Sequence, residues 1–373
     1  MNTFLGIDIS DTFEPSMKKN IAIAALAFIL LFSGCKQDFD ITADYKEVPV
    51  VYGLLNQQDG KHYIRIQKGY LIDGDARVAS GVPDSIYYPD VLTVKMIVLN
   101  TQNGNRIDSF ELQRVDGNTI AGFEKDSGLF ANTPNWLYYT DRQLLPERSY
   151  LLEVTNNSNG YKFRTKLNGS QSVNLVRDFA ISTPIYNQKL NLSNQKNTSI
   201  KVLWTTAQNA GIYDLTVRFP YKEYRTSDNA LLLDTFVEIT FVRSLEYEYN
   251  GLSINPPIEI TSDNFLTQLS KKLTATTDVY REFNIYKGMQ FKVAAGGTDL
   301  TNYIRSARAQ GGLSSNEALA PYTNIEGGIG ILSSRYFKQV DSVLFTPIAL
   351  DSLACSDISR ALRFKNHSGV LCN

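Results

Sequence analysis

The sequence holds few of the residues that most often carry chemistry: two histidines, three cysteines and two tryptophans in 373 residues. His62 and His367 each lack a second histidine at ligand spacing, so neither a zinc or iron site nor any cofactor is expected. His62 reads as a half-exposed strand residue, not as a base. Neither sign of charge is in excess, with 37 Lys and Arg against 38 Asp and Glu. Nucleic acid rewards clustered positive charge through counterion release, so it is not an expected partner. No Lys-Ser or Lys-Thr follows Gly327, Gly328 and Gly330, which removes a phosphate loop, and no nucleophile-elbow pattern occurs. Any chain this rich in Asp and Glu can bring two carboxylates to the spacing of a glycosidase, but nothing marks such a pair. Helix-forming runs of Ala, Leu, Glu and Lys are rare. The chain instead has 21 Tyr and 19 Phe, a balance that favours strands.

Long apolar runs are scarce too. The single one, residues 21–32, follows Met17-Lys18-Lys19-Asn20 and precedes Ser33-Gly34-Cys35. It is long enough for a signal core, too short to span a bilayer stably, and lacks the polar face of a buried amphipathic helix. Residues 17–34 therefore read as a lipoprotein signal peptide. Cleavage would leave Cys35 first, its sulfur carrying diacylglycerol and its amino group a fatty acid such as palmitate. Phe32 stands where Leu is commoner. An uncleaved anchor or a core helix is the alternative. Several acyl chains, at about 0.8 kcal/mol per buried methylene, hold a protein on a membrane where a single short chain does not.

Asp8, Asp11 and Glu14 put negative charge ahead of a leader that should be positive, so residues 1–16 read as a mis-assigned upstream start, with a genuine extension as the alternative. Residues 35–46 form a lipidated tether. Its Lys36-Gln37-Asp38-Phe39-Asp40 resembles the lysine-then-acidic signal that sends lipoproteins of the Bacteroidota to the outer face of their outer membrane. An ordinary solvated tether fits as well, so the expected location is the outer membrane, at the cell surface or the periplasmic face.

From residue 47 the pattern is all-β with a few short helices. The expected architecture is two immunoglobulin/fibronectin-like β-sandwich domains, 47–168 and 199–373, joined by an Asn-, Ser- and Gln-rich linker at 169–198. Residues 48–56 and 62–70 form a hairpin over Gln57-Gln58-Asp59-Gly60, with Ile64 and Ile66 opposite Tyr63, Arg65 and Gln67. Residues 91–100 return through 106–115 over a two-residue Asn103-Gly104 turn. Further strands fall at 119–123, 136–140, 149–155 and 161–166. In the second half the Trp204 strand pairs with 213–219, its indole in the core, and 231–243 follows. Ser262 caps a helix carrying Phe265, Leu266, Leu269 and Leu273. Gly296-Gly297-Thr298-Asp299 opens another, whose Leu300, Tyr303, Ile304 and Ala307 form an apolar stripe before Gly311-Gly312 ends it. Residues 324–332 read as a glycine-broken strand and 350–364 as a last helix. Cys355 and Cys372 could close a loop worth about 3 kcal/mol in an oxidising compartment, or remain two buried thiols.

Aromatic clusters are the candidates for binding: Tyr87 with Tyr88, Trp136 with Tyr138 and Tyr139, Tyr221 with Tyr224, and Tyr247 with Tyr249. Exposed rings take flat sugars or protein partners, but strand alternation sends one of each adjacent pair inward, so core packing is the alternative. Val50-Val51-Tyr52-Gly53-Leu54-Leu55, Tyr63-Ile64-Arg65-Ile66 and Asn324-Ile325-Glu326-Gly327-Gly328-Ile329-Gly330 look like a large set of outer-membrane lipoproteins of Bacteroidota. Those are often encoded beside TonB-dependent receptors. The resemblance implies a lipidated β-sandwich protein and supplies no catalytic residues. The expected function is a membrane-anchored, non-enzymatic binding or accessory subunit of the envelope. Its partners would be the membrane through the lipid, and an outer-membrane TonB-dependent receptor or a glycan. A glycan-active enzyme and a structural or adhesion protein are the alternatives.

Overall fold

The computed structural model describes residues 48–69, 76–165, 172–182, 189–193, 198–247, 251, 254, 257–310 and 322–372. The start at 1–16, the signal peptide 17–34, Cys35 and the 35–46 tether lie outside them, as do Tyr249, Gly311, Gly312 and parts of the 169–198 linker. The described chain is mostly strand, with five short α-helices. Strand β1 (Val48–Leu55) and β2 (His62–Gly69) pair antiparallel and put Val51, Leu55, Ile64 and Ile66 inward. Helices α1 (Ala76–Ser80) and α2 (Pro83–Ile86) follow, the latter with proline in its first turn, where a missing N–H costs nothing.

Strands β3 (Leu92–Asn100) and β4 (Arg106–Glu111) are joined by residues 101–105, a longer loop than the two-residue turn expected from Asn103-Gly104. Gly104 N donates to Asn100 O inside it. After β5 (Gln113–Asp116) the Asp116 carboxylate accepts from Asn118 N and starts a 3₁₀ turn at Gly117–Thr119. Phe123 N then donates to Ile120 O, so the strand expected at 119–123 is replaced by turns. Next come β6 (Trp136–Thr140), β7 (Arg148–Asn156), β8 (Lys162–Thr165), β9 (Val173–Asn174), β10 (Ile181–Ser182) and β11 (Lys189–Leu190).

The second half begins with β12 (Ser199–Trp204), the long β13 (Ala210–Arg225) and β14 (Leu231–Glu246), and β15 (Ile258–Thr261). The cap of α3 (Ser262–Ser270) is Thr261, one residue before the expected Ser262, because its hydroxyl accepts from Asn264 N. Strands β16 (Val279–Phe283) and β17 (Met289–Gly297) lead to α4 (Thr298–Gln310). Strand β18 (Ile325–Glu326) turns through Gly327, at φ 78°, into β19 (Ile329–Phe345). Helix α5 (Pro347–Cys355) is capped by Thr346. The single helix expected at 350–364 therefore starts earlier and breaks after Cys355, resuming as a 3₁₀ turn at Arg360–Leu362.

One ten-stranded sheet runs β14-β13-β17-β19-β1-β2-β6-β5, with β11 added at β19 and β16 at β13. A six-stranded sheet (β18-β8-β7-β3-β4, with β9 on β7) and a three-stranded sheet (β10-β12-β15) provide the second layers. The large sheet crosses from the 47–168 half into the 199–373 half through the parallel β1–β19 ladder, and residues 46–373 form one compact unit. Each half still has its own core. Val51, Ile64, Ile66 and Tyr138 meet Val94, Met96, Leu152, Val154 and Phe163, with Ile325 and Leu332 reaching in from the other half. In the second core Val217, Phe219, Phe291 and Val293 meet Val202, Trp204, Ile260 and the α3 residues Phe265, Leu266 and Leu269. Trp204 is fully buried, but β12 pairs with β10 and β15 and not with β13. Its contact with Tyr213, 5.7 Å between ring centroids, therefore crosses between layers where a ladder neighbour was expected.

Candidate functional site

Alternation in β1 and β2 sends Tyr52, Leu54, Tyr63 and Arg65 to the face of the large sheet opposite the first core. Register places Ile331 of β19 beside Tyr52 and Arg65 across from it on β2. Helix α4 lies along this face. Its most buried residues are polar: Asp299 accepts a 2.6 Å hydrogen bond from the Tyr322 hydroxyl, and the Thr301 hydroxyl donates to Gly297 O. The expected stripe is thus not a core stripe. Leu300 and Tyr303 line a cleft, and Ala307 is exposed. Gly296 and Gly297 end β17 without starting the helix. A Cβ on Gly296 would meet Leu300 at 2.8 Å, so glycine here lets α4 approach the sheet.

The cleft holds about 410 Å³ between α4, the β1–β2 face and Phe123 from the turns after β5. The Tyr63 ring centroid is 4.2 Å from Phe123 and 5.3 Å from Tyr139, while Tyr52 and Tyr303 meet edge to face at 6.5 Å. Tyr52 is 41% exposed and Phe123 40%. Burial, then a hydrogen bond to Tyr303, pushes the Tyr52 phenol pKa up. The polar lining is Asp59, Lys61, His62, Arg65 and Arg335. His62 is 3% exposed, not half-exposed as expected, because it alternates inward with Ile64 and Ile66. Its Nε2 has no hydrogen-bond partner, and desolvation holds the ring pKa below its ordinary value.

Of the described aromatic candidates, Tyr139 alone touches this cleft's rings. Tyr138 belongs to the first core. Tyr87 and Tyr88 are both buried, at 3% and 5%, which overturns the expected alternation; they follow α2 and lie before β3, outside any strand. Trp136 is half-buried against Ile86, Tyr87 and Ala131, with the Arg114 guanidinium 4.1 Å over its ring. Tyr221 is core, and Tyr224 stacks on Tyr280 at 5.2 Å. The sequence reading missed Tyr52, Phe123 and Tyr303. Alternation against Val51 and Leu55 marks Tyr52 as outward-facing, but no local signal brings the other two to it.

A second cluster has the parts of a nucleophilic relay. His367 Nδ1 is 2.6 Å from Asp351 Oδ1, and His367 Nε2 is 3.1 Å from Ser368 Oγ. Oxyanion stabilisation needs free donors beside the nucleophile, and the nearby amides are taken. Ser368 N and Val370 N both donate to Asn366 Oδ1, Gly369 N to Asn366 O, and His367 N to Asp351 Oδ1.

Cys355 and Cys372 form a disulfide, with Cα atoms 5.2 Å apart. Among the described residues no three His, Cys, Asp or Glu side chains gather as a metal site, and no helix is long and apolar enough to cross a membrane. No protein-family model matches the chain, and neither does any characterised protein. Function must be argued from the site.

Proposed function

We propose that this chain is a lipid-anchored protein of the cell envelope that binds a ligand in the Tyr52–Tyr63–Phe123–Tyr303 cleft without transforming it. The observation that carries the reading is the cleft itself, a small-ligand volume walled by half-exposed rings and lined by a single carboxylate, Asp59. Hydrolysis of a glycosidic bond calls for two carboxylates about 5 to 9 Å apart, and a binding site calls for none. The lipid anchor rests on Lys18, Lys19, the 21–32 run and Cys35. The outer membrane, and a TonB-dependent receptor as partner, rest on the sequence resemblance.

Two measurements test this. Cys35→Ser should leave the fold intact and release the protein from membranes; a variant that stays bound through a high-salt wash defeats the anchor. A panel of oligosaccharides and peptides should include ligands that raise the melting temperature of wild type but not of Tyr63→Ala, since binding the folded state alone stabilises it. Stabilisation that survives Tyr63→Ala and Phe123→Ala unchanged defeats the cleft. Ester hydrolysis has the Asp351–His367–Ser368 relay in its favour. Turnover of a p-nitrophenyl ester lost in Ser368→Ala would replace the non-enzymatic reading.

A further inference from the structure

We infer that the cleft takes an acidic saccharide, one that carries carboxylate or sulfate groups. The inference rests on the cleft being the binding site, and three features of its construction support it. The floor is built from β19, β1 and β2, which are interior strands of the large sheet, with β17 beyond β19 and β6 beyond β2. Strand β1 is engaged on both sides, by β19 and β2, and β2 pairs β6 over His62–Ile64, so an extended peptide finds no edge beside Tyr52 and Tyr63 to extend. A saccharide has no such need. Its hydroxyls bond to side chains, and its C–H faces lie on aromatic rings.

The charge lining the cleft selects the kind of saccharide. Lys61, Arg65 and Arg335 face one carboxylate, Asp59, an excess of two positive charges with His62 neutral. Among the described residues, Arg335 alone of the three has a carboxylate at ion-pair distance, Asp59 at 3.7 Å. Arg65 is half-buried between Tyr63 and Gln67 on its strand face, so its guanidinium has lost part of its hydration without gaining an acidic partner. A ligand carboxylate or sulfate supplies that partner, two parallel N–H donors meeting two oxygens. The rings are the independent observation: Tyr63 and Phe123, with centroids 4.2 Å apart, and the half-exposed Tyr52 give the C–H faces of a sugar a surface in the same cleft.

Isothermal titration of the full lipidated chain in detergent micelles tests this with three probes: trigalacturonate, its methyl ester and a hexaglutamate peptide. Esterification removes the charge and keeps the body of the sugar. Trigalacturonate should bind at least tenfold more tightly than the ester, and added salt should narrow the gap. Arg65→Gln should remove most of that difference, weakening the acid far more than the ester. Tyr63→Ala, or Phe123→Ala should the first variant melt early, should weaken both sugars at least tenfold. Equal binding of acid and ester, or no binding of either, overturns the inference. Hexaglutamate binding that is lost in Tyr63→Ala overturns it too, while the binding cleft stands. If no ligand responds to either ring variant, both readings fall.

Discussion

Gly330 packs against the backbone of Val51 so closely that a Cβ on it would lie 2.0 Å from the Val51 carbonyl oxygen. The two residues are partners in the parallel β1–β19 ladder, which joins the first strand of the described chain to the last long one. Gly330 also holds φ at 104°, a conformation that side-chain-bearing residues rarely adopt. Sterics and backbone therefore both require glycine at the seam between the two halves, and the same ladder forms the floor of the cleft.

Gly330→Ala should accordingly destabilise the protein by about 3 kcal/mol or more, since the dihedral alone costs on the order of 1–3 kcal/mol and the contact displaces β1. Gly328→Val should act in the same direction, its Cβ position lying 2.8 Å from Pro49 O. Thermal melts followed by circular dichroism would show a fall of several degrees in each. Gly60→Ala is the control: nothing lies within 4 Å of its added methyl. A normal melt for Gly330→Ala would mean that β19 is not held against Val51 as described.

The disulfide gives a second prediction. Cys355 ends α5 and Cys372 lies 17 residues on, so the bridge closes a short loop that carries Asn366, His367 and Ser368. An unreduced digest should contain the linked peptides by mass spectrometry, and Cys372→Ser should lower stability by about 2–4 kcal/mol. Both thiols alkylating freely in native protein would refute the bridge.

Local pattern made the strands legible and left their assembly hidden. Alternation around Ile64, Ile66, Val94 and Met96 identified core faces that the fold uses, because a period of two survives wherever one face of a strand is buried. It failed at Tyr87 and Tyr88, which lie outside strands, and at residues 119–123, where the Asp116 carboxylate wins the backbone for a turn. Trp204 was legible as core but its strand was assigned the wrong partner, since pairing depends on contacts far apart in sequence. The cleft was the least legible element. Tyr52, Phe123 and Tyr303 come from a strand, a turn and a helix, and Tyr303 reaches the others because Gly296 lets α4 settle close to the sheet.

The chain end is also held by a buried ion pair, which supports a third prediction. Arg281 is buried, 2.9 Å from the Glu223 carboxylate, and donates to Leu362 O at 2.8 Å and Thr274 O at 3.0 Å. Its backbone bridges to the same segment through Arg363 O and Lys365 N. Glu223→Ala leaves the guanidinium charge buried without its counterion and should cost about 3–5 kcal/mol. The double change Glu223→Ala with Arg281→Met should recover part of that loss in a denaturant titration. A double variant no better than Glu223→Ala would show that the Leu362 and Thr274 carbonyls, and not the ion pair, carry Arg281's contribution.

His62 predicts how stability depends on pH. Desolvation lowers its folded pKa below 6.5, against smaller opposing effects from Asp59 and a hydrogen bond with the backbone of Arg142. Well above pH 6.5 the ring is neutral in both folded and unfolded chains and contributes no pH dependence. As the pH falls below 6.5 the unfolded chain takes up a proton that the buried ring refuses. The unfolded state then holds more protons, so stability falls with falling pH until the depressed folded pKa is reached. Carboxylates with lowered pKa, such as Asp178 with its Lys338 partner, add their own loss at lower pH, below about 4, while Asp299, whose pKa burial raises, acts in the opposite sense as it takes up its proton, so in the range from 6.5 to about 5 the loss comes from the histidine. Melts should be recorded in a His367→Gln background so that His62 is the one histidine present. The melting temperature should decline across that range, and the decline should be lost in His62→Phe. A slope that persists unchanged in His62→Phe would mean that the ring is not desolvated on the inward face of β2.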